Sequence, residues 1–191
     1  MKQVLFTLIA LFSFSFISSQ ESLISDIMQV DAVNINDSEK YEEALADYQK
    51  AYDDQVARLD EALEKLGEDY KKEITGLIEG FTKTLEDAVE KEVKNEKQSV
   101  VTRSKTASMT LKSAKKKAIQ DFINEMALEI RKLPKSFVEE KQKEIDTLVD
   151  EKRGAVESEY TANMQVIAGF NNTTHLTKSN TPTASTSEGS N

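Results

Sequence analysis

Apolar residues recur along the middle of this chain at spacings that predict helix. Leu45, Tyr52, Leu59 and Leu66 fall seven apart, and Val56, Leu63, Tyr70 and Leu77 form a second seven-spaced row. Charged residues fill most of the positions between them. The two rows therefore describe the narrow apolar seam of a helix packed on other helices, as in a coiled coil. Beyond Leu66 the spacing loosens through Ile74, Leu77, Phe81, Leu85, Val89 and Val93. Steps of four become commoner there, so a left-handed supercoil should relax. Gly67, Gly76 and Gly80 fall in the same stretch. Each costs about 1 kcal/mol relative to Ala in a helix interior. They read either as points of close helix approach or bending, or as tolerated surface positions.

The ends of this first arm, 38–96, follow from local chemistry. Residues 34–38 (NINDS) are a turn cluster rich in N-cap residues, and Asn36 with Glu39 has capping-box spacing. Glu42 and Glu43 suit the positive end of the helix dipole. A change of character follows: 97–117 contains seven basic residues and no acid. Its first part, 97–108, is rich in Ser and Thr and reads as a basic polar turn at the tip of a hairpin, or as a less stable helical stretch. A second helix, 109–133, places Ile119, Phe122, Ile123, Met126, Ile130 and Leu133 on one face. Pro134 must end or kink it. A third helix, 134–170, carries Val138, Ile145, Val149, Val156, Tyr160, Met164 and Ile167 at helical spacing, with Gly169, Asn171 and Asn172 as a stop signal.

The expected fold is thus all-α: a long antiparallel helical hairpin, or an elongated three-helix bundle with coiled-coil-like packing. Residues 171–191 are low-complexity Ser/Thr/Asn sequence and are expected to form a disordered C-terminal tail. At the other end, Lys2 precedes an uncharged run of 14 residues from Val4 to Ile17, closed by Ser18 and Ser19. That is short for a spanning helix, which needs about 20 apolar residues. Residues 1–19 therefore read as a signal peptide. Residues 20–37 form an N-terminal arm with Leu23, Ile24, Ile27, Met28 and Val30, expected as a short helix or a packed extension.

Charge and composition narrow the function. The 34 acids against 25 bases give a formal net charge of −9, which argues against a nucleic-acid partner. The imbalance sits mainly in 21–96, with 22 acids and 9 bases. Folding the arms back would set Lys112, Lys115, Lys116 and Lys117 beside the acidic distal part of the first arm. The other reading of this basic cluster is a tip kept for an acidic partner.

Candidate chemistry is sparse. There is no cysteine, and the one histidine, His175, lies in the expected tail without a scaffold for general-base work. Zinc, haem and nucleophilic triads lack their residues, so no catalytic, cofactor-binding or metal-binding residue is assigned and no cofactor is expected. Acidic pairs such as Asp53–Asp54 and Glu139–Glu140 read as solvated helix faces. The 34–45 region fails as a calcium loop, because Glu39 stands where glycine is needed and Leu45 where the bidentate Glu is needed. Asn36, Asn171 and Asn172 each begin an Asn-X-Ser/Thr glycosylation triplet.

These features favour a secreted, noncatalytic helical protein that self-associates or binds a protein partner. Its location would be extracellular, or periplasmic in a Gram-negative source. In outline, over Tyr41 to Tyr160, the chain resembles the helical periplasmic chaperones of the OmpH/Skp type: a leader, long charged helices in hairpin arms, and no cysteine. That resemblance implies a holdase for exported proteins. It rests on architecture with no shared motif, and the acidic charge departs from the basic surface usual in that family. In size and composition the chain is also similar to insect apolipophorin-type amphipathic bundles, which implies a lipid surface as partner. Lipid-binding helices need a broad apolar face. The seam from Leu45 to Leu66 is narrow, which favours helix–helix contact.

Overall fold

The structure is a computed structural model that describes residues 38–173. They form three helices: α1, Ser38–Thr84; α2, Glu90–Ile130; and α3, Lys135–Asn172. No strand occurs among the described residues. The expected leader, N-terminal arm and capping residue Asn36, together with everything from residue 174 onward including His175, lie outside the described residues.

The helix ends follow from identifiable contacts. The chain turns through 85–89, where the Leu85 amide donates to the Thr82 carbonyl. Val89 precedes the first residue of α2, and the Glu92 carboxylate reaches back to accept from its amide at 3.4 Å. This is one half of a capping box, with Glu90 and Glu92 also suited to the helix dipole. The α2–α3 connection is short, closed by the Lys132 amide on the Glu129 carbonyl and the Leu133 amide on the Ile130 carbonyl. Pro134 ends α2 outright and immediately precedes α3. At the far end Gly169 stays helical, and no described residue adopts a positive φ. The helix instead closes with the Thr173 amide on the Gly169 carbonyl.

Packing divides the chain into two compact units, and each helix contributes a stretch to both. The described part of the first unit comprises 38–66 and 113–157. Here α1 and α3 run in the same direction. Tyr41 meets Ser136 at 3.4 Å, and further along both helices Lys152 donates to Asp60 at 2.6 Å. The antiparallel α2 fills the third side, with Phe122 edge-on to Tyr52 at 6.4 Å. The core joins Tyr48 and Leu59 of α1 to Ile119, Phe122, Ile123, Met126 and Ile130 of α2, and to Ile145, Val149 and Val156 of α3. Met126 and Leu133 are fully buried. Burying side chains of this size contributes about 1.5–3 kcal/mol each, so this apolar cluster dominates the unit's stability.

The second unit comprises 67–112 and 158–173 among the described residues. Phe81 packs edge-on against Phe170 at 5.5 Å. The other buried positions are smaller: Ala88, Val100, Val101, Ala107, Leu111 and Ile167, with Ser104 and Ser108 among them. Gly76 and Gly80 have nothing within 4 Å of where a Cβ would stand, which makes them surface glycines and not points of close helix approach.

The structure corrects the expected boundaries. Residues 97–108 are not a turn: they lie inside α2, and the reversal occurs earlier, at 85–89. The Ser/Thr residues that argued for a turn are accommodated within the helix. Thr102 donates to the Gln98 carbonyl at 2.9 Å, and Thr106 to the Thr102 carbonyl at 3.1 Å. Hydroxyls bonded back to the preceding turn no longer compete with helical hydrogen bonding. Val100, Val101, Ser104, Ala107, Ser108 and Leu111 meanwhile present a buried face at helical spacing. The alternative of a simple two-armed hairpin gives way to three helices packed on one another.

Candidate interaction surface

The seam read from the sequence faces the bundle interior. Leu59 is buried, while Leu45, Tyr52, Val56 and Leu63 pack against the core of the first unit. Leu66, Tyr70 and Leu77 are half-buried. These residues hold helices together and leave little apolar surface on their own stretch of α1.

Tyr48 was missing from the two seven-spaced rows, yet only 2% of it is exposed. It stacks on Tyr52 with ring centroids 6.1 Å apart. The hydroxyl is buried with no hydrogen-bond partner among the described residues. Burial, then the negative charge of Glu144 and the neighbouring Tyr52, push its pKa well above the ordinary tyrosine value. Lys141 lies 6.0 Å from the ring centre and is bonded to Glu144 at 3.1 Å. The signal for Tyr48 was present in its steps of three from Leu45 and four to Tyr52. A second step of four, to Val56, shifts the frame and hides it from a strict seven-residue repeat.

Two lysines of the basic cluster meet α3: Lys112 lies 4.2 Å from the centre of the Tyr160 ring, and Lys116 pairs with Glu157 at 2.8 Å. Lys115 is buried and Lys117 is exposed.

In the second unit, Tyr70 lies beside Ser108, whose buried hydroxyl has no hydrogen-bond partner among the described residues. Burial raises the Tyr70 pKa, the neighbouring Ser108 side chain partly offsets this, and Glu159 and Glu73 raise it further. Lys97 donates to the Thr173 carbonyl at 2.7 Å and lies 5.8 Å from the centre of the Phe170 ring. Asn171 and Asn172 are exposed in the last turn of α3, and the hydroxyl of Thr173 donates to the Phe170 carbonyl at 2.6 Å.

Five large apolar side chains stand exposed among the described residues. Ile78, Val89, Met109 and Val166 belong to the second unit, and Leu128 alone to the first. No cluster of three or more potential metal ligands occurs among the described residues. No described helix is long and apolar enough to cross a membrane. Compared with family models, curated proteins and solved structures, the chain matches none.

Proposed function

We propose that this chain is a secreted, noncatalytic helical protein that acts by protein binding or by assembly. The observation that carries this reading is the contrast between the seam and the exposed apolar residues. Bundle packing takes up the seam, yet Ile78, Val89, Met109 and Val166 are left outside on one unit. Four of the five large apolar side chains exposed among the described residues belong to this unit, and it is there that the reading places a macromolecular contact. The polar side chains with resolved partners serve the fold, as in Lys152–Asp60, Lys116–Glu157 and Lys141–Glu144. Recovery of the processed chain from the culture medium or periplasm tests secretion, and retention of the leader in the cytoplasm would refute it. Sedimentation analysis, alone and with extracts of the compartment, tests binding. A chain that stays a single monomeric species in both would count against the proposal.

The holdase reading is supported by the same exposed apolar side chains set among charges. Suppression of aggregation of an unfolded membrane protein decides it, and no protection at excess removes it. The lipid-carrier reading has less support, since the seam is committed to the bundle interior. Failure to bind phospholipid vesicles retires it.

A further inference from the structure

We propose that the second unit is a self-association surface whose occupant is the same unit of a second copy. The inference rests on the assembly branch of the functional reading and deepens it by naming the face and the partner. The charge balance of the two units selects the surface. The described part of the first unit carries 19 acids and 14 bases, so two copies meeting there repel. The second carries 10 acids and 9 bases, unevenly divided: 67–96 has nine acids and five bases, and 97–112 has four bases and no acid.

Both sections also offer apolar contact. In the acidic section, Ile78 and Val89 are 43% and 59% exposed, with Glu86 and Asp87 exposed nearby in sequence. In the acid-free section, Met109 is 60% exposed and shares an outward face of α2 with Thr102, Lys105 and Thr106, at helical spacing. The hydroxyls of Thr102 and Thr106 are turned back onto backbone carbonyls, which leaves their methyl groups as the outward surface. An acidic section with apolar residues and a basic section with apolar residues on one unit are complementary to each other in a second copy. A two-fold arrangement uses each contact twice: residues 78–90 of one copy against 102–109 of the other, and the reverse.

Sedimentation equilibrium of the chain from residue 20 onward tests this. The expected result is a concentration-dependent dimer that weakens as salt is raised. Met109→Glu, and separately Lys105→Glu, should weaken association at least tenfold while helicity by circular dichroism is unchanged. Adding Glu86→Lys and Asp87→Lys to the Lys105 variant should restore it. Leu128→Glu, on the first unit, should leave it unchanged. Association that survives the second-unit substitutions, or that is lost with Leu128→Glu, overturns the assigned face while leaving assembly standing. A monomer at every concentration overturns self-association itself and leaves only a heterologous partner for the functional reading.

Discussion

The same three helices build two interiors of different kinds. In the first unit they enclose isoleucines, leucines, a methionine and aromatics. In the second they enclose mainly valines, alanines and two serines beside Phe81, Leu111 and Ile167. Small side chains bury less apolar area, and buried hydroxyls add little net stabilisation even when bonded. The surfaces differ in the opposite sense, because the unit with the weaker interior carries most of the exposed apolar side chains. A continuous helix can therefore serve stability in one stretch and contact in another.

The largest expected effect is in the first interior. Phe122→Ala should cost about 3–5 kcal/mol, measured by urea unfolding. A loss near 1 kcal/mol would contradict the central place given to that cluster. Next comes the difference between stretches of α2. Backbone amides of 119–130 should exchange with solvent roughly 100-fold more slowly than those of 100–111. Equal rates would mean that the two units open as one and that the contrast has no dynamic consequence.

A smaller effect is expected at Tyr48. Removing its unpartnered hydroxyl by Tyr48→Phe should stabilise the protein by about 1 kcal/mol, with ring packing preserved. A loss of stability would show that the hydroxyl is satisfied after all. The pH dependence has a definite sign. The folded-state pKa is raised, so the unfolded chain ionises first and stability falls as pH rises above the unfolded tyrosine value near 10. The phenylalanine variant should lack the contribution of residue 48 to that decline.

The smallest effect concerns Asp146. Burial and then repulsion by Asp150 raise its pKa, with Arg153 partly offsetting them. A carboxyl with a raised folded-state pKa is protonated more readily in the folded chain, so its ionisation opposes folding at neutral pH. Asp146→Asn should therefore stabilise at pH 7, by under about 1 kcal/mol. The gain should vanish as pH falls through the folded value toward the unfolded one near 4. Thermal unfolding of both proteins at pH 7 and below pH 4 checks this, and an advantage that persists in acid would refute it.

Much of this architecture is legible in the spacing of apolar residues. The face from Ile119 to Leu133 and the break at Pro134 are strong signals, because six apolar residues share one side of a helix and proline cannot continue it. The reversal at 85–89 is not legible. The sequence TLEDAVE contains neither proline nor glycine, and its apolar residues continue the helical spacing. Conversely, 97–108 is rich in weak helix formers, and only the packing of Val100, Val101, Ala107 and Leu111 shows that it belongs inside a helix. Propensity is a local property, and tertiary burial overrides it here. The basic cluster was visible as composition, but its partner was not, because which flank of α2 meets α3 depends on how the three helices pack.

The contact of Lys97 with the end of α3 sets a rule for shortening the molecule. The ammonium group holds the carbonyl oxygen of Thr173, the last described residue, as well as lying over Phe170. A chain cut after Thr173 keeps both attachments and turns the bonded carbonyl into a terminal carboxylate, an ion pair for the same lysine. A chain cut after Phe170 loses the Thr173 carbonyl and keeps only the contact of the lysine with the Phe170 ring. The two truncations differ by three residues, yet they end the helix in chemically different ways.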